Sequence, residues 1–260
     1  MDFGEASERN YDQYKKDVTA DIAKCAQDAC CQPILFIGSG LSKRYFSGQN
    51  WDELLTHLSK ACPLIEKDYA YYKQSFGSPL DTGEEFAKIY REWAWSSGKK
   101  HFPADMFADT VPAQAYIKHI IAEYLRSLTP KSVSTVKDMA TEVAALQRIR
   151  PHAVVTTNYD QFLELVFPEY HPIIGQQIIQ GASLCIGEIF KIHGCVSDPN
   201  SLVFTRTDYN EFTKKKKYLR VGPKSSSTQT KLSEHETNRG EVEKSERVSG
   251  EIFEILGQPA

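Results

Sequence analysis

No apolar run in this chain approaches the ~18 residues that a membrane span needs. The opening stretch, MDFGEASERNYDQYKKD, is polar and acidic, so no secretory leader is expected from it. Neither sign of charge dominates: 31 Lys and Arg stand against 34 Asp and Glu, a net charge of -3. The pI is near 6.2. That balance gives no electrostatic basis for direct binding of nucleic acid or of an anionic membrane. The six cysteines, at positions 25, 30, 31, 62, 185 and 195, include no C-x-x-C pair, which argues against a zinc ribbon. No HExxH or similar spacing points to a metal. With no export signal, free thiols in a reducing cytoplasm are expected, with Cys30 and Cys31 ending a helix.

What is present suits a soluble globular protein with a sizeable core: 260 residues, 41% hydrophobic and 25% charged. Residues 11–31 carry Val18, Ile22, Cys25 and Ala29 as a helical stripe. Pro33 ends it, and Ile34 to Ile37 reads as a buried strand, followed by a Gly38-Ser39-Gly40 turn. Asn50 is a natural N-cap for a helix whose apolar face is Trp51, Leu54, Leu55 and Leu58. Residues 64–130 read as helical, through Phe86, Ile89, Tyr90 and Trp93 and then Ile117, Ile120, Ile121, Tyr124 and Leu128. They are expected to form a helical insertion lying over a sheet. Val136, Met139, Val143 and Leu146 mark one more helix, and Ala153 to Thr156 a second buried strand. Short strands are expected at 171–174, 177–180, 188–193 and 202–205. Buried strands alternating with helices predict an α/β fold with a parallel sheet and flanking helices. The folded domain is expected over 1–213. From 214 to 260 the chain is charged and rich in Ser and Thr, which predicts a polar tail or linker. Within it, EIFEILGQPA reads as a short docking helix.

Three short motifs carry chemistry, each placed just after a predicted strand. In "FIGSGLS", glycines 38 and 40 allow a sharp turn and close approach of a ligand, and a following helix would aim its first amides at a phosphate. The third glycine of G-x-G-x-x-G is replaced by Lys43, so the ordinary dinucleotide fingerprint is missing. A plain strand-to-helix turn is the alternative. In "TTNYD", Asn158 offers donors and an acceptor for a ribose hydroxyl or a water, and Asp160 can accept from sugar hydroxyls. The alternative has Asn158 in an Asx-turn and Asp160 as the cap of the next helix. In "IFKIHGCVSDP", His193 suits proton transfer near neutral pH, and Gly194 lets substrate or backbone come close. A satisfied, part-buried histidine is the other reading. In an open parallel sheet all three motifs would line one edge, where ligands bind.

At these residues the chain resembles the sirtuin superfamily, more closely its SIR2-like branch of bacterial NAD-consuming proteins. "GSGLS" at 38–42, "TTNYD" at 156–160 and "KIHG" at 191–194 are similar to that family's glycine loop, its Asn-x-Asp element and its His-Gly. "NWDELL" at 50–55 and "LVFTRTDY" at 202–209 also look like that branch. The resemblance implies a Rossmann-like fold and NAD as substrate, cleaved at the nicotinamide–ribose bond without a metal. It implies that Gly38, Ser39, Gly40, Leu41 and Ser42 contact the phosphates and the nicotinamide ribose. Asn158 would hold ribose hydroxyls or water, Asp160 would support the ribose side, and His193 would be the general base. The four-cysteine zinc module of protein-deacylating sirtuins is absent from the sequence. That favours an NAD hydrolase over a zinc-free deacylase, with an NAD or ADP-ribose sensor as the non-enzymatic alternative. The branch often serves in anti-phage defence, which implies gating by a homo-oligomer or a partner protein. Its later strand on the adenosine side has no counterpart after residue 212, and the lysine run at 214–217 suits a truncated or aberrant C-terminus.

Overall fold

Among the described residues, four short strands organise the fold. The computed structural model describes residues 11–29, 32–133, 139–175 and 187–214. In it β1 (Ile34–Ile37), β2 (Ala153–Thr156), β3 (His171–Ile174) and β4 (Glu188–Lys191) form one sheet in the order β1-β2-β4-β3. Every pairing is parallel, and the register sets Ile37, Thr156, Lys191 and Ile174 in one row at the C-terminal edge. Together with its helices this is the expected α/β, Rossmann-like arrangement. The strands expected at 171–174 and 188–193 are present, the second ending at Lys191. The strand expected at 177–180 lies outside the described residues, as do Cys30, Cys31, Cys185 and the tail from 215.

One face of the sheet is covered by α2 (Ser39–Phe46), α7 (Ala140–Ile149) and α8 (Phe162–Val166). Val154 and Ile189 meet Val143, Phe162, Leu163, Val166 and Phe167 there. Tyr45 and Phe46 of α2 lie against the Phe162 ring, at centroid distances of 5.4 and 5.3 Å. Arg44 clamps Glu142 of α7 with two hydrogen bonds of 2.8 and 2.5 Å. On the opposite face Ala153, Phe190 and Ile192 cluster with Val155 and Ile173.

β1 departs from expectation. Its unbroken apolar run predicts burial on both faces, yet Ile34 and Phe36 are 49% and 56% exposed while Leu35 and Ile37 turn inward. It is one of the two edge strands among the described residues, covered on one face only, and period-2 alternation does the rest. The helix α1 (Tyr11–Ala29) forms as predicted, but Ile22 on its apolar stripe is 64% exposed.

The stretch 64–130 is helical throughout its regular parts, with α4 (Tyr69–Phe76), α5 (Pro79–Trp95) and α6 (Ala115–Leu128) following α3 (Trp51–Ala61). It does not lie over a face of the sheet. Its core of Leu55, Leu58, Phe86, Tyr90, Ile117 and Ile121 closes against Tyr159, Cys195, Val196, Leu202 and Phe204. Those residues belong to the segments leaving β2 and β4, so the helical layer sits beyond the C-terminal edge. The strand expected at 202–205 is instead an extended connection. Leu202 and Phe204 alternate inward, but Val203 N–H bonds to His193 O, at 2.9 Å, and no ladder continues from it among the described residues. Thr205 then starts α9 (Arg206–Lys214) with a reciprocal cap: its hydroxyl accepts from Asp208 N–H, and the Asp208 carboxylate accepts from Thr205 N–H.

The cap read from the sequence at Asn50 is present in full. Its Oδ1 accepts from Glu53 N–H at 2.9 Å, and its own N–H donates to Glu53 Oε2 at 3.0 Å. Asn50→Ala is expected to cost about 1 kcal/mol, read as a lower urea midpoint at unchanged slope.

Candidate functional site

The first motif divides into two parts. Gly38, Ser39 and Gly40 are exposed where β1 hands over to α2. Neither glycine needs an unusual backbone angle, and a Cβ built on either meets nothing within 4 Å. Their missing side chains therefore leave space above a helix start, where the first amides lack intrahelical acceptors. Leu41 and Ser42, grouped with them by resemblance, turn inward. Leu41 packs into the cluster beneath the sheet, and Ser42 is buried.

The second motif is bonded to the first. Asn158 Nδ2 donates to Gly38 O at 3.0 Å and to Ser42 Oγ at 2.9 Å. Ser42 Oγ in turn donates to Asp160 Oδ2 at 2.7 Å. Thr156 Oγ1 donates to Ile37 O and accepts from Asn158 N–H, which fixes the start of the loop. Asn158 thus spends its donors inside the protein, which leaves its Oδ1 as the group suited to a ligand. Asp160 is buried and also accepts from Phe162 N–H at 3.0 Å, an Asx-turn bond just ahead of α8, whose N-cap position is held by Gln161 and not, as the alternative had it, by Asp160.

The third motif leaves the next strand at the same edge. Ile192 N–H still pairs with Thr156 O, and the chain then turns through His193 and Gly194. Asn158 and His193 each stand two residues beyond a paired couple, Thr156 and Lys191, on adjacent strands about 4.8 Å apart. Gly194 has φ +92°, and a Cβ there would sit 2.3 Å from Ser201 O, so the close approach it permits is by backbone. The His193 ring meets Phe212 of α9 edge-on, with centroids 5.3 Å apart. Its Nε2 is buried and has no hydrogen-bond partner among the described residues. Burial lowers its pKa from 6.5 to about 4, so the ring is neutral near pH 7. With the proton on Nδ1, Nε2 is a free acceptor.

Several residues at this edge escaped the sequence reading. Lys191 is wholly buried and bonds to Asp160 O and Glu164. A lone lysine between Phe190 and Ile192 in an apolar run was the available signal. Phe212 and Tyr209 are spaced as neighbours on α9, but nothing in the sequence sets them against His193. Two open grooves, of about 590 and 700 Å³, lie along α5 and beside α7, and none of the candidate residues lines them. No group of three or more His, Cys, Asp or Glu among the described residues is arranged to hold a metal ion. No described helix is long and apolar enough to cross a membrane.

The glycine turn, the anchored asparagine and the neutral histidine all lie beyond the C-terminal ends of parallel strands, where open α/β sheets bind their ligands. Residues 152–233 match the family model for a SIR2-like domain. The match contains Asn158, Asp160, His193 and α9, while β1 and residues 38–42 lie outside it. It supports placing the chain with the SIR2-like superfamily and speaks for NAD-related activity. A search of curated proteins returned no match to the chain.

The histidine has a measurable signature. An unfolded chain takes up a proton on His193 from pH 6.5 downward, the folded chain only near 4, so stability falls with pH across that window. His193→Leu should flatten the loss of unfolding free energy between those pH values by on the order of 3 kcal/mol. Denaturant titrations at several pH values measure it. Burial of His57 and His119 acts in the same direction and leaves a residual slope.

Proposed function

We propose that the chain hydrolyses NAD. Water adds to the anomeric carbon of the nicotinamide ribose, the bond to nicotinamide breaks, and nicotinamide, ADP-ribose and a proton are released. The observation that carries this reading is the free, buried Nε2 of a neutral His193 on the strand exit beside Asn158. The nicotinamide ring is positively charged in NAD and leaves as a neutral molecule, so no acid catalyst is needed. The ribose becomes oxocarbenium-like, and the protein's work is to orient water and stabilise that charge. In this reading the exposed Gly38–Gly40 turn and the amides of the α2 start meet the phosphates. Asn158 Oδ1 holds a ribose hydroxyl or the water, and His193 Nε2 takes the proton. Ser42 and Asp160 act through Asn158. A role in anti-phage defence by NAD depletion follows from the resemblance, with a second copy or a partner protein as the gate.

Phe212 against His193 favours a second reading, an NAD or ADP-ribose sensor whose site stays closed to water. Nicotinamide release from NAD by the purified chain decides between them; binding without release supports the sensor. An acyl-lysine peptide deacylated in step with release would instead indicate a deacylase.

His193→Ala and Asn158→Ala are each expected to lower nicotinamide release by at least ~100-fold, the scale for losing a general base or a positioned polar group. Gly40→Leu is expected to leave the melting temperature unchanged or higher, since its side chain meets open space in a helix. The same variant should weaken NAD binding at least ~10-fold, because that space is where the phosphates belong. Calorimetry reads both quantities.

A further inference from the structure

We propose that Lys191 is a positioning residue whose buried ammonium holds the Asn158–Asp160 loop in fixed relation to the strand exit that carries His193. The proposal deepens the NAD-cleaving reading and rests on it. Lys191 is 0% exposed and lies on β4 opposite Thr156. Its Nζ donates to the backbone carbonyl of Asp160 and to Glu164 Oε1 and Oε2, at 3.0 and 3.3 Å. Three oxygens thus meet the three donors of one ammonium. One comes from the loop after β2, and two come from α8.

Stability is a poor explanation for this arrangement. Burying an ammonium is costly, and an apolar side chain of similar volume in place of a buried ion pair is often neutral or stabilising. What methionine could not supply is direction. The Asp160 carbonyl is pulled toward β4 by Lys191, while the Asp160 carboxylate accepts from Ser42, which accepts from Asn158. The lysine therefore sits at the base of a bonded series that ends at the Asn158 side chain, and its own backbone is two residues from His193. Without the ammonium, the Asp160 carbonyl and the Glu164 carboxylate lose a buried donor, and the loop must shift to find water. A shift of this size moves Asn158 relative to His193, while the fold around them stays paired.

The test is a double-mutant cycle with an independent structural readout. Nicotinamide release per folded molecule is measured for wild type, Lys191→Met, Asn158→Ala and the double variant. Deuterium exchange is followed at residues 157–162, with the amides of β1 and β2 as the internal control. Lys191→Met is expected to lower release about 30-fold or more on its own, a typical effect of misplacing a positioned group. In the Asn158→Ala background it should cost less than about 3-fold, because the two residues act as one unit. Exchange at 157–162 should quicken at least ~10-fold, with the strand control unchanged. Equal costs in both backgrounds, or unchanged exchange at 157–162, overturns the proposal. If wild type releases no nicotinamide while 157–162 still responds, the cleavage reading falls and the positional role stands. Should Lys191→Met fail to fold, Glu164→Gln keeps the shape and removes one charge of the pair. Faster exchange confined to 157–162 in that variant supports the proposal, and its absence sinks it.

Discussion

The Ser42 hydroxyl is the point on which the candidate site depends. It accepts from Asn158 and donates to Asp160, so one side chain of α2 ties down the loop that follows β2, across 116 and 118 residues of sequence. A buried hydroxyl with both functions satisfied is stable where it stands, and a buried carboxylate with two donors is tolerable. If the hydroxyl is removed, the Asp160 carboxylate is left with the Phe162 amide and the Asn158 side chain with the Gly38 carbonyl as partners among the described residues. The register of β1 on β2 brings these groups within reach, and the Thr156 hydroxyl on Ile37 O reinforces it.

Around that bridge the molecule places two different kinds of support. Below it, the buried Lys191 pairs with the half-buried Glu164 under the loop. Beyond it, the helical layer closes the edge, and a second ion pair, the buried Lys118 with the half-buried Asp208, fastens α9 to α6. Arg206 adds a two-pronged contact with Asp81 of α5. The first turn of α9 is thus held by the insertion helices, and its last turn sets Phe212 against His193. The helical insertion thus holds α9 in place, and the groove along its α5 is lined by other residues.

Much of this was legible in the chain because it is encoded locally. The Asn50 cap and Trp51–Leu58 stripe, the helical character of 64–130 and the β2 strand all rest on neighbouring residues alone. So does the choice of "GSGLS", "TTNYD" and "KIHG" as polar punctuation after strands. Less legible was which atoms of those motifs face outward. Asn158 spends its amide on Gly38 and Ser42, and Ser42 is a structural bridge, because two segments far apart in sequence meet there. The extended run 202–205 has strand periodicity but pairs with no strand among the described residues, and periodicity cannot reveal whether a partner is there. The apolar β1 looked buried because its composition carries no record of being at an edge.

The sequence by itself determined the helices of 64–130, the strands β1 and β2 and the three motifs that follow strands, since each follows from backbone preference and apolar spacing over a few residues. The tertiary structure decided the strand order, the exposure of Ile34 and Phe36, the inward turn of Ser42 and the burial of Lys191 beneath Asp160. Those depend on pairings between segments more than a hundred residues apart or across different strands. Only the assembled sheet fixes which donor meets which acceptor.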